Sequence, residues 1–314
     1  MIRELQAAWK KREGRGETLR VFHGPGEGSG DLEQIAIDRF GDGYWVTEWE
    51  SARGRGGWSP EVAAAVVQFL KDHGARHAVV LRRPEKGVPS LPERILGEGP
   101  ERFEAREGKC RFWIRLEGTR HPGLFLDHAP LRRKLEAGFG GARVLNTFAY
   151  TGSLSIAAGL GGAEHVTTLD LSKPTIRWAE ENWALNELDA SRARFIFGDV
   201  FEWLPRLKRD GKSYDCVILD PPSFSRGDKG TFSTSKDLEK LHRLALALLA
   251  PGGTLVTSIN SANVTREKYR RDVDAAAKAE GRKLETLFEI GLPETFPAKA
   301  GSLGSDLKGW ALRA

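Results

Sequence analysis

At four places a polar side chain falls near the end of an apolar run that reads as a strand: Asn146 in "ARVLNTF", Asp170 in "HVTTLDL", Asp199 in "RFIFGDV" and Asp220 in "YDCVILD". Strand-end groups of this kind accept donors from a ligand lying beyond the carboxyl edge of a parallel sheet. Asp170 is placed to accept both hydroxyls of a ribose, and Asp199 to accept from an adenine amino group, with Val200 or Phe201 against the ring. Gly152, in "VLNTFAYTGSLS", sits where a turn enters a helix and lets the backbone approach a ligand closely. A single glycine is not the GxGxxG cradle of a dinucleotide site, so the ligand should carry no pyrophosphate. Helix capping competes for Asp170 before "LSKP" and for Asp199 before "VFEW". Asp220 opens "DPPSFS". Pro221 and Pro222 cannot continue a central strand, because each lacks a ladder donor, so they stop the strand on a carboxylate and stiffen the loop beyond it.

The elements that would position these groups alternate strand and helix from about residue 105 onward. "ARVLNTF", "HVTTLDL", "RFIFGDV", "YDCVILD" and "TLVTSIN" are strands; "SLSIAAGLGG", "KPTIRWAEENWALNEL", "FEWLPRLKRDG" and "TSKDLEKLHRLALALLA" are the helices between them. That rhythm predicts a parallel sheet covered on both faces. A helix near 265–280 and the strands "ETLFEI" and "DLKGWAL" complete the chain. The first part reads differently. A basic amphipathic helix ("IRELQAAWKKR") enters the strand "TLRVFHG", "QIAIDRF" and "YWVTEWE" form a hairpin, and "SPEVAAAVVQFLKDHG" is a helix with a Ser cap, succeeded by the strand "HAVVLRR". The Pro- and Gly-rich stretch 83–101 reads as a linker. We therefore expect a small α+β domain with linker at 1–104 and an α/β domain at 105–314.

With 314 residues, 40% of them hydrophobic and 29% charged, the composition is that of a soluble globular protein. No apolar run reaches the roughly 20 residues of a membrane span, and the charged amino terminus does not resemble a signal peptide, so the expected location is cytoplasmic. Two cysteines, Cys110 and Cys216, make neither a disulfide framework nor a CxxC metal site. The net charge of +5 weakly favours a polyanionic partner.

These segments resemble the class I S-adenosylmethionine (SAM) methyltransferases, with a Rossmann-like seven-stranded sheet. More narrowly they resemble bacterial 23S ribosomal RNA methyltransferases that make 5-methylcytosine or 7-methylguanine. The resemblance is carried by "GLFLDH" (123–128), "VLNTFAYTGSLSIAAGLGGA" (144–163), "LDLS" (169–172), "AEENWALNEL" (179–188), "DPPSFS" (220–225) and "LLAPGGTLVTSINS" (248–261). It implies SAM as cofactor, held by Asn146, Thr147, Phe148, Ala149, Tyr150, Thr151, Gly152 and Ser153, by Asp170, Leu171, Ser172 and Asn182, and by Gly198, Asp199 and Val200. Phe125 and Asp127 belong to the implied cofactor-side segment, and Arg132 is a further member. Asp220, Pro221, Pro222 and Ser223 form the implied catalytic loop facing the target base, with Phe224, Arg226 and Asn260, and Phe232 beside them, around that base.

Carbon 5 of cytosine is not nucleophilic, so its methylation needs a thiolate to add first. At the two places where relatives carry that cysteine, this chain has "TSINSAN" and "DPPSF". Guanine nitrogen 7 carries a free lone pair and needs only alignment. The expectation is therefore direct methylation of guanine N7 in 23S rRNA. The alternatives are the 5-methylcytosine enzyme, an exocyclic-amine methyltransferase, and a non-catalytic RNA-binding assembly factor of the same fold. RNA contacts are expected from "WKKR" (9–12), Arg53, Arg55, Arg226 and Lys229. The oligomeric state is not legible.

Overall fold

The computed structural model describes residues 2–49, 58–84, 87, 91–227, 230–233, 237–297 and 306–314, with the backbone alone for 224–227 and 230–233. It divides into two compact units, Met1–Ala129 with Leu292–Ser305, and Pro130–Gly291 with Asp306–Ala314. The division thus falls after residue 129 rather than 104, and a late segment returns to the first unit.

The first unit runs α1 (Ile2–Arg12), β1 (Thr18–His23), α2 (Gly24–Glu27), β2 (Ile35–Phe40), β3 (Gly43–Trp49), α3 (Pro60–Asp72), β4 (His77–Arg83) and β5 (Glu93–Leu96), then a separate hairpin of β6 (Phe103–Glu107) and β7 (Cys110–Ile114). Strands β1 to β5 form one sheet in sequence order. Only β3 and β4 run parallel, because α3 lies between them as the crossover. Ser59 caps α3 by accepting from the Val62 N–H at 3.3 Å. Val62, Val66, Phe69 and Leu70 recur at helical spacing along α3 and pack with Leu5 and Ala8 of α1 on one sheet face. Strand β5 lies inside the expected linker. Its four residues lack clear alternation, so pairing with β4 reveals a strand that pattern reading missed.

The basic end of α1 is less available than its sequence suggests. Arg12 is buried, ion-paired to Glu27 at 2.8 Å and donating to the Thr295 carbonyl at 3.1 Å, while Trp9 packs on His73. Only Lys10 and Lys11 of "WKKR" are exposed. Arg53, Arg55 and Lys229 lie outside the described residues.

The second unit begins with α4 (Ala129–Ala137) and continues β8 (Arg143–Thr147), α5 (Ser153–Leu160), β9 (His165–Asp170), α6 (Lys173–Leu185), β10 (Ala193–Phe197), α7 (Val200–Arg209), β11 (Tyr214–Leu219), the small hairpin β12 (Phe224–Gly227) and β13 (Gly230–Ser233), α8 (Leu238–Leu246), β14 (Leu249–Asn260), α9 (Arg266–Ala279), β15 (Glu285–Ile290) and β16 (Leu307–Arg313). The seven-stranded sheet has the order β10-β9-β8-β11-β14-β16-β15. It is parallel from β10 to β14, and β16 runs antiparallel to both its neighbours. This is the expected class I, Rossmann-like α/β sheet. Buried runs such as Cys216–Leu219 reflect cover on both faces. Strand β14 starts at Leu249, before the "PGG" turn, and an irregularity in its pairing with β11 absorbs that turn. Among the described residues no helix is long and apolar enough to cross a membrane.

Candidate active site

Because β10, β9, β8 and β11 are parallel neighbours, their carboxyl ends share one edge of the sheet. Asp170 ends β9, Asp199 comes just after β10, and Asp220 just after β11, so the three carboxylates belong to that edge. Asn146 does not join them. It sits one residue inside β8, 1% exposed, donating to Ser155 Oγ of α5 at 2.9 Å. Its Oδ1 is buried with no hydrogen-bond partner among the described residues. Thr147 is likewise internal, its hydroxyl donating to the Ile218 carbonyl at 2.9 Å across β8 and β11.

The turn between β8 and α5 has an unusual backbone. Phe148 (φ 52°), Tyr150 (φ 51°) and Gly152 (φ 78°) all lie in the left-handed region. For the two aromatic residues this costs on the order of 1–3 kcal/mol each, and such strain persists only where the surroundings over-determine it. Here they do. Asp170 Oδ2 accepts from the Tyr150 N–H at 2.8 Å, and buried Asn182 donates to the Thr151 carbonyl at 3.0 Å. Asn182 therefore acts from within the protein, beneath the turn. Ala149 and Thr151 are buried, while Phe148, Tyr150 and Ser153 are partly exposed. Gly152 immediately precedes α5, and a Cβ on it would stand 2.9 Å from the Ala179 Cβ of α6. Gly152→Ala combines that clash with a left-handed Ala, about 1–2 kcal/mol of backbone cost. We expect a lower melting temperature and at least tenfold weaker cofactor affinity, read by calorimetry.

Asp170 is the organiser of this edge. Besides Tyr150, its Oδ1 accepts from the Ser172 N–H at 2.9 Å and from Thr175 Oγ1 at 3.1 Å. Burial raises its pKa above the ordinary aspartate value, and these hydrogen bonds partly offset that. A carboxylate has about four acceptor positions. The Tyr150, Ser172 and Thr175 donors take up much of that capacity before any ligand is considered. Ser172 caps α6 through Thr175, and Leu171 is exposed. Asp199 caps α7, accepting from the Phe201 N–H at 2.8 Å through Oδ1, and its Oδ2 accepts from no described residue. Of the two uses foreseen for Asp199, the helix cap is the one present, on Oδ1. Gly198 carries the Trp203 indole against its Cα, and Val200 is buried in the core. Arg132, on α4, is fully buried and donates to Ser153 Oγ at 3.5 Å, beside the start of α5.

At β11 the loop is tied to its neighbour strand twice. Ser258 of β14 donates to Asp220 Oδ1 at 2.7 Å, and Ser223 donates to the Asn260 carbonyl at 3.0 Å. Pro221 is buried; Pro222 and Ser223 are exposed. On the other face of β14, Thr257 contacts both His242 Nε2, at 2.8 Å, and the Tyr269 hydroxyl. His242 Nδ1 lies 2.6 Å from the Leu238 carbonyl, so it carries the proton and Nε2 accepts from Thr257. Burial pushes His242 down to about 4, which keeps this chain of groups neutral and β14 firmly seated. Sequence reading missed Ser258, Thr257, His242 and Tyr269, because each partner lies far away along the chain. Asn260 ends β14 with an exposed side chain; the side chains of Phe224, Arg226 and Phe232 lie outside what is described. Phe125, 43% exposed, and Asp127, paired with His128 Nδ1 at 3.1 Å, belong to the first unit.

Residues 19–299 match the sequence pattern of the S-adenosylmethionine-dependent methyltransferases. The chain belongs to that family. The methyltransferase is 44% identical over 236 residues to a Chromohalobacter salexigens protein named ribosomal RNA large subunit methyltransferase K/L, covering 72% of this chain and 31% of that one. It is 40% identical over 277 residues to a Deinococcus radiodurans ribosomal RNA large subunit methyltransferase, covering 86% of this chain and 66% of the relative. The methyltransferase thus spans under two thirds of either relative's length. Among solved structures it resembles SMU.776, a protein assigned as a methyltransferase and solved with SAH, at TM-score 0.87 and 27% identity, covering 100% of this chain and 80% of that one. The cofactor is SAM, and the site fits it. The left-handed turn without a side chain at Gly152, the Asp170 carboxylate and the open Asp199 Oδ2 are the groups that would hold its amino-acid, ribose and adenine parts.

Proposed function

We propose that this chain methylates large-subunit ribosomal RNA, at nitrogen 7 of a guanine, by direct transfer. The named relatives support ribosomal RNA as the substrate class. The case against carbon 5 of cytosine rests on one observation: both cysteines are fully buried. Cys216 lies inside β11, where burial pushes its thiol well above the ordinary range. Cys110 lies on β7 of the first unit. Neither is available as the thiolate that carbon 5 of cytosine requires.

Bound SAM supplies a methyl group on a sulfonium. The protein's own task at guanine N7 is then alignment, together with stabilising the positive charge that the base acquires. Asp220 is the group for this. Ser258 fixes one carboxylate oxygen, the two prolines limit the loop, and Ser223 pins the loop to β14. A base in an RNA helix would have to leave its stack to reach such a group. Cys110→Ser is expected to methylate ribosomal RNA at the wild-type rate in a filter-binding assay with radiolabelled SAM. Loss of transfer with SAM affinity retained would restore the cysteine mechanism.

A further inference from the structure

The five-stranded sheet of the first unit has a second face, opposite α1 and α3. Alternation along the strands places Arg20, Asp38, Trp49 and Arg83 there, while Leu19, Val21, Ile37, Val46 and Val80 face the core. Arg20 is fully engaged. It grips Asp38 through two bonds of 2.7 and 2.9 Å, reaches His23 Nδ1 at 3.1 Å and stacks 4.0 Å over the Phe296 ring. His23 in turn meets the edge of Trp49 at 6.5 Å, and Trp49 is the register partner of Arg83.

Arg83 differs from every group around it. It is half-buried at the end of β4 and makes no hydrogen bond or ion pair with any described residue. The nearby carboxylate, Asp38, already has both oxygens occupied by Arg20. Burial and the neighbouring Arg20 cation both lower the pKa of Arg83, with Asp38 only partly offsetting them. Burial, with the charges of Arg83 and Arg120, pushes His121 down to about 4, so it stays neutral and adds no further positive charge. A guanidinium taken from water without a counter-ion is costly, and its planar fork matches a phosphate. Among the described residues the local deficit is therefore one anion.

We propose that Arg83 is a phosphate site for the backbone of the RNA substrate, with Trp49 beside it and the Arg20–Asp38 pair behind it. The assignment rests on the reading of this chain as an RNA methyltransferase. Its role is to position RNA rather than to touch the reacting atoms.

The test uses the full chain, with sheared, end-labelled, deproteinised ribosomal RNA as probe and inorganic phosphate at matched ionic strength as competitor. Arg83→Gln should weaken RNA binding on the order of fivefold at low salt, and should flatten the slope of log K against log salt by about 0.7–0.9, the loss of one phosphate contact. Arg83→Lys, which keeps the charge, should restore the slope. SAM affinity should be unchanged in both, and the melting temperature of Arg83→Gln should equal or exceed that of the wild type. Wild-type RNA affinity and slope in Arg83→Gln would overturn the site, as would a lowered melting temperature together with weakened SAM binding. Displacement of RNA by millimolar phosphate at constant ionic strength would assign the site to free phosphate instead. A wild type that binds SAM but no RNA would overturn the RNA reading itself, an outcome distinct from failure at Arg83 alone.

Discussion

Asp220→Ala is expected to bind SAM within about twofold of the wild type and to transfer methyl groups at least 10²-fold more slowly, the scale of removing one preorganised electrostatic group. The expectation comes from where the carboxylate stands. It closes β11 at the carboxyl edge of the sheet, whereas the bonds that hold the Gly152 turn come from Asp170 and Asn182. Asp220 Oδ1 accepts from Ser258, on β14. Truncation leaves Ser258 without that acceptor, so the fold should lose about 1–2 kcal/mol, too little to unfold it. Single-turnover transfer with saturating SAM, alongside calorimetry of SAM binding, separates the two effects. Unchanged turnover would remove Asp220 from the chemistry.

Asp170→Ala should fail earlier, at SAM binding. Two backbone donors lose their acceptor at once, the Tyr150 N–H and the Ser172 N–H, while Thr175 Oγ1 keeps the Ser172 carbonyl at 2.8 Å. The strained turn at Phe148 and Tyr150 then lacks the bond that holds it, and the ribose contact goes too. Charge-assisted bonds contribute about 1.5–3 kcal/mol each, so SAM affinity should fall by 10² or more. Asp170→Asn retains acceptor oxygen but places an amide donor against one of the N–H groups, so it should fall between the two. Affinity of Asp170→Ala within threefold of the wild type would refute this role.

Much of this edge was legible in the sequence because each residue announces itself locally. Gly152 marks a turn, and Asp170, Asp199 and Asp220 each come at the end of an apolar strand. The features that were not legible depend on pairing across distance. Asn146 has the same sequence signature as the three aspartates, yet its side chain turns inward to Ser155. Only the strand's facing relative to α5 distinguishes the two cases. The four-residue β5 inside the expected linker, and the hairpin β12–β13 after "DPPSFS", are too short for periodicity to reveal. Arg12 in "WKKR" reads as a free cation until Glu27 and the Thr295 carbonyl are found beside it.

Nucleoside analysis by mass spectrometry tests the central claim most directly. Ribosomal RNA from a strain lacking this gene would be incubated with the purified chain and methyl-labelled SAM, then digested. The account predicts label in 7-methylguanosine, absent with Asp220→Ala. Label in 5-methylcytidine, or tight SAM binding with no labelled nucleoside, would contradict it.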